Sequence, residues 1–148
     1  LDFPALPHDA PEQPIGFHFE DVEFDLPDTD GLAAWLSSLA EEEGKPLVEL
    51  NYIFCSDERL REMNVEFLDH DYYTDVITFP YSENAAHGDV FISSERVADN
   101  ARSMGIPFAT ELCRVLAHGL LHLLGYGDKT EEEQQTMRAK EDYYLAKR

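Results

Sequence analysis

Residues 17–24 (FHFEDVEF) alternate apolar and polar side chains, the period of a half-buried strand. The period then lengthens. Leu32, Trp35, Leu36 and Leu39 mark one face of a helix running from a cap at Asp30 to about Glu43, with Gly44 as its stop. Residues 47–55 (LVELNYIFC) predict a second strand. Ser56 opens a short amphipathic helix that turns Leu60, Met63 and Phe67 inward. Val76–Phe79, ended by Pro80, and residues 88–93 (GDVFIS) predict two more strands around a polar turn. From Ser94 the pattern is helical. One helix runs to about Met104 and ends at Gly105, and a second runs from about Pro107 to Leu124. The third covers about Glu131 to Ala146, with Thr130 as cap and Glu133 three residues on. This order predicts a single α+β domain over residues 17–148, with a small mixed sheet of four strands covered by helices. Residues 1–16 (LDFPALPHDAPEQPIG) are Pro-rich and are set aside as a tail or cloning remnant.

The second of these three helices carries candidate chemistry. Between Glu111 and Leu124 the apolar residues lie almost all round the helix, so it is expected to be long and buried. Within it His118 and His122 are four apart and share a face. Gly125 ends the helix and lets the chain turn back, so Asp128 can add a carboxylate oxygen. Two imidazoles and a carboxylate with a fourth position open describe a catalytic zinc site, with ligand bonds of ~2.0–2.1 Å. The competing reading, two core histidines, leaves buried polar groups unsatisfied at roughly 1–3 kcal/mol each. One zinc per chain is the expectation, and the same ligand types also admit nickel or iron. Gly119 stands where an HExxH protease carries its general base, which disfavours that mechanism.

Charge narrows the partners. The chain has 31 acidic and 11 basic residues and a formal charge of −20, which excludes a broad basic surface for nucleic acid. Five of the basic residues fall between Lys129 and Arg148, balanced there by five acidic ones. A polyanionic substrate must therefore be held locally or delivered by a partner. Cys55 and Cys113 lie in apolar runs without CxxC spacing and are expected as free thiols of a reducing cytoplasm. Neither a membrane-length apolar run nor a leader-like start is present, so no membrane partner is expected.

Three ordered segments, HGLLHLLGYGD (118–128), NVEFLDHDYYTDVITFP (64–80) and GDVFIS (88–93), resemble the YbeY family of bacterial ribosomal-RNA-maturation endoribonucleases. The family's signature usually reads HGxLHLxGYDH, and the resemblance covers about residues 17–146. It implies a metal-dependent single-strand endoribonuclease acting in ribosomal RNA 3′-end maturation and ribosome quality control. RNA and the ribosome or its associated proteins are the implied partners. Two positions depart from the pattern. Asp128 stands where the family carries a third histidine, and Leu68 where it carries an arginine assigned to catalysis or phosphate holding.

On this reading His118 is both ligand and catalytic residue, and hydrolysis of a phosphodiester is the reaction. Arg114, one turn before His118, is a candidate replacement for the missing arginine, against the simpler reading of an ion pair with Glu111. Asp75 in TDVITFP is the first candidate for a supporting role. Asp89 and Thr74 read more readily as turn residues. His8, His18, His70 and His87 lack ligand spacing, although His70 falls in a matched loop. The alternatives are a metal-dependent peptide or amide hydrolase and a non-catalytic metal-binding ribosome-assembly factor.

Overall fold

Strand β1 (Ile15–Phe19), helix α1 (Thr29–Glu42) and strand β2 (Leu47–Cys55) form a parallel βαβ unit at the start of the computed structural model, which describes residues 14–69 and 74–148. Helix α2 (Asp57–Leu68) leads to the antiparallel pair β3 (Val76–Pro80) and β4 (Ala86–Ser93). Helices α3 (Ser94–Met104), α4 (Phe108–Leu123) and α5 (Glu131–Leu145) follow. The sheet order is β1-β2-β4-β3, with β2 and β4 parallel. The expected α+β domain with a four-stranded mixed sheet is thus the fold observed.

Residue alternation decides what each face of the sheet covers. Leu50, Tyr52 and Phe54 of β2, with Val90 and Ile92 of β4, are buried in the main core with α1 and α4. Ile77 and Phe91 face the other side, where Leu60 and Met63 of α2 and the Cys55 thiol meet them. Burial first, then the charges of Asp21 and Glu20, push the Cys55 thiol up to about 12. Both cysteines are free, as expected.

Several expected boundaries move. Pairing in β1 begins at Ile15, which is 2 % exposed, and the Pro14 carbonyl accepts from Leu50 N. The boundary at residue 16 therefore falls inside a core strand. The rest of the expected tail, residues 1–13, lies outside the described residues. The alternation after Phe19 is real, since Val22, Phe24 and Leu26 pack on the core. Yet beyond the bond from Glu20 N to the Phe54 carbonyl that segment pairs with no strand among the described residues. Asp28, not Asp30, caps α1, accepting from Gly31 N at 3.2 Å with a left-handed φ of 58°. Phe67 is 56 % exposed and touches Phe79 edge-on, where an inward position was expected. The capping box of Thr130 and Glu133 forms as expected.

Helix α4 lies close on β4. A Cβ placed on Gly119 would come within 2.6 Å of Val90 Cγ1. Close helix packing thus explains this glycine, which otherwise costs about 1 kcal/mol against alanine. Gly119→Ala is expected to lower stability by about 1–3 kcal/mol through overpacking. Val90→Ala in the same chain should restore part of it, as read from urea midpoints. A stabilised single variant would refute the packing account.

Candidate metal centre

The exposed side of α4 carries the two histidines. His118 and His122 have side chains 16 % and 21 % exposed on a helix otherwise sunk in the core. Gly125, at φ 108°, reverses the chain, a conformation that side-chain-bearing residues rarely adopt. The reversal brings Asp128 back over the helix. Its Oδ2 lies 3.2 Å from His122 Nε2 and 3.6 Å from His118 Nε2. Tetrahedral zinc with bonds of ~2.0–2.1 Å sets its ligands about 3.3–3.4 Å apart. The two measured edges straddle that value, and among the described residues His118, His122 and Asp128 form a group that could hold a metal ion.

Protons decide whether a cation fits. His122 Nδ1 is 2.9 Å from the Tyr126 carbonyl, which only accepts, so Nδ1 holds the proton and Nε2 a lone pair. His118 Nδ1 is 2.6 Å from Glu141 Oε2 and is assigned the same way. Burial, with the neighbouring His118 second, lowers the pKa of His122 and favours its neutral form. Burial acts most strongly on Glu141 and in the opposite direction, yet His118 and Arg114 together hold its carboxyl below the ordinary value. With both rings in the neutral Nδ1–H form, two Nε2 lone pairs face one carboxylate oxygen. A divalent cation held by these three atoms would satisfy them all, and two of the residues, His118 and Asp128, line a cavity of about 330 Å³.

The turn that carries Asp128 is held from the α1–β2 corner. Lys45 Nζ donates to the Leu124 carbonyl at 2.7 Å, and Glu43 accepts from Tyr126 at 2.6 Å. Glu43 also accepts from the Tyr144 hydroxyl and, at 3.0 Å, from Lys140. Burial alone would raise its pKa from 4.5, but the bonds from Tyr126, Tyr144 and Lys140 outweigh it and the value falls. A depressed carboxyl stabilises the fold fully above about pH 4.5, and that contribution is lost as pH falls through the lower folded value. The metal-free protein should therefore lose more stability between pH 6 and pH 3 than Glu43→Gln does. Parallel urea curves for the two chains at both pH values would contradict this.

Arg114 enters the cavity beside His118. It forks onto Glu111 at 2.8 and 2.5 Å and reaches Glu141 at 3.2 Å. These bonds engage three of the five N–H donors that a guanidinium carries. Asp75 Oδ2 lies 3.8 Å from Nη2. Arg114 thus pairs with Glu111, as the simpler reading expected, and it lines the same cavity as His118 and Asp128. Asp75 joins the site through Arg114.

The other candidates lie elsewhere. Asp89 shares a sheet face with Asn51, away from α4, and accepts from the Tyr81 hydroxyl at 2.6 Å. Thr74 donates within its own turn to the Val76 carbonyl at 3.5 Å. His18 bonds Asn51, His87 packs edge-on against Tyr81, and Leu68 sits exposed at the end of α2. His8 and His70 lie outside the described residues. Sequence reasoning missed Glu141, although the stripe Met137, Glu141, Tyr144 placed a carboxylate among inward positions. It also missed Glu43 and Arg138, the latter on the cavity wall.

Fold and site together define a small α+β domain with three side chains that could hold a metal ion at the open side of its central helix. The chain belongs to the family described as Endoribonuclease YbeY, which matches residues 18–148. The Endoribonuclease YbeY of Cytophaga hutchinsonii is 52 % identical over 139 residues, 93 % of this chain and 97 % of that one. That of Flavobacterium johnsoniae is 47 % identical over 133 residues, covering 89 % and 95 %. The solution structure of TM1509 from Thermotoga maritima superposes with a TM-score of 0.63 at 29 % identity, covering 88 % of this chain and 86 % of that one.

Proposed function

We propose that this chain is a metal-dependent, single-strand-specific endoribonuclease of ribosomal RNA 3′-end maturation and ribosome quality control, with one zinc ion as cofactor. The observation that carries the reading is the convergence of two imidazole lone pairs and a carboxylate beside a cavity that Arg114 enters. His118, His122 and Asp128 hold the ion; Glu141 and the Tyr126 carbonyl fix the two rings. When bound, such an ion polarises a phosphoryl oxygen and lowers the pKa of water toward about 7.

The chain's own groups supply the rest. Arg114 has two N–H donors beyond its three bonds to Glu111 and Glu141, and its role in this reading is to hold a phosphoryl oxygen. Asp75 lies on the Nη2 side of that guanidinium and orients it. Asp128 is 43 % exposed, which leaves an approach from solvent for an RNA strand. The peptidase alternative lacks a general base, because the position after His118 is a glycine pressed on Val90. Among the described residues no helix is long and apolar enough to cross a membrane. Action in the cytoplasm, on or near the ribosome, completes the reading.

The non-catalytic assembly-factor reading draws on Leu68 and on the carboxylates around Arg114. One experiment separates them. Protein purified without chelators is expected to carry about one zinc per chain by elemental mass spectrometry. It should cut single-stranded RNA and lose that activity to a chelator. Ribosome co-sedimentation by a metal-loaded chain that leaves RNA intact would establish the factor instead.

A further inference from the structure

Arg114 cannot by itself attract RNA, because Glu111, Glu141 and Asp75 surround its single charge. The source of local positive charge must be sought among the other basic residues. Eight of the chain's 11 pair with carboxylates, Arg114 included. The other seven are Arg59 with Glu20, Arg61 with Glu58, Arg96 with Asp57, Arg102 with Asp99, Lys140 with Glu43, Lys147 with Glu42 and Arg148 with Asp28. Lys45 is spent on the carbonyls of Leu124 and Glu83.

Two remain. The side chains of Lys129 and Arg138 make no hydrogen bond or ion pair among the described residues. In a chain with 31 acidic groups, an exposed arginine without a carboxylate partner is unexpected. Their placement is not scattered. Lys129 follows the candidate ligand Asp128 directly, and Arg138 lines the metal cavity with His118 and Asp128.

Arg138 also lines a second groove of about 470 Å³ on α5, and Gln134, four residues earlier, lines both. Gln134 is itself fixed, donating to the Asp128 carbonyl at 3.0 Å. The two hollows thus adjoin along one face of α5, with a free guanidinium at their junction. A guanidinium with unspent N–H donors matches a phosphate oxygen pair in shape and charge.

We propose that Arg138 holds a backbone phosphate of single-stranded RNA next to the one presented to the metal centre, with Lys129 as a second phosphate contact. This rests on the endoribonuclease reading above. The strand would run from the metal cavity across Gln134 to Arg138, short of Glu131 and Asp142, which line the α5 groove. The contact reads backbone rather than base, so it is expected to be indifferent to sequence.

The test uses zinc-loaded protein and a short fluorescein-labelled single-stranded RNA with phosphorothioate linkages, titrated by anisotropy over a range of salt. Wild-type cleavage of the unmodified RNA is followed in parallel. Arg138→Ala is expected to weaken binding about tenfold, the worth of one hydrogen bond to a charged group. It should also reduce the slope of log affinity against log salt by about 0.7, one phosphate on a single strand. Metal content should stay at the wild-type level, and Arg138→Lys should restore the slope. Wild-type affinity and slope in Arg138→Ala would overturn the proposal and leave the nuclease reading intact. A weakened Arg138→Ala in a protein that cuts no RNA would support the phosphate contact while removing the nuclease reading.

Discussion

His122→Ala is expected to leave a folded protein that retains almost no metal and cuts no RNA. The ring is a fifth exposed and lies on the open side of α4, so its loss opens no deep core cavity. It does remove one of three ligands and frees the Tyr126 carbonyl that fixed the ring. Loss of an outer partner of a ligand already costs about 10–100-fold in metal affinity, and a ligand should cost more. Elemental mass spectrometry should therefore find well under a tenth of the wild-type zinc, an estimate on the order set by that affinity loss. Circular dichroism should find an unchanged fold. Full metal content in this variant would mean that the ion sits elsewhere, and the proposed mechanism would fall with it.

Arg114→Ala has a different signature, a loss of stability of about 3–5 kcal/mol in metal-free protein. Glu111 is fully buried and Glu141 nearly so, and both would lose their buried cation. Domains of this size are stable by only about 5–15 kcal/mol, so the variant should unfold at much lower urea. Glu111→Gln combined with Arg114→Met removes charge from both sides and should recover a large part of the loss. A single variant within about 1 kcal/mol of wild type would show that solvent already screens the network.

Period and spacing made most of the fold legible, and the failures have physical causes. The histidines could be placed on one face because four residues nearly complete a helical turn, and Gly125 announced the reversal that returns Asp128. Glu141 could not be paired with His118 because the contact spans 23 residues and depends on how α5 packs against α4. The apolar neighbours of Glu141 were the available signal. At the start of α1 two aspartates stood within one turn, and only the left-handed backbone at Asp28 decides between them. Beyond Phe19 the alternation reported burial correctly but could not report that no strand is there to pair with it. Phe67 kept helical register with Leu60 and Met63, yet that register carries it past the edge of the small second core.

The tie between His118 and Glu141 also sets an order of events during synthesis. A ribosome makes the chain from its N-terminus, so α4, with both histidines, exists before α5 does. Until α5 emerges and docks, His118 has no carboxylate behind it and Arg114 lacks one of its two buried partners. The proposed grip on a metal ion is thus completed last, by a helix whose own inward face carries the buried Glu141. On the reading proposed above, an unfinished chain is a nuclease with its safety on, because vectorial synthesis delays the backing of His118 until α5 has docked.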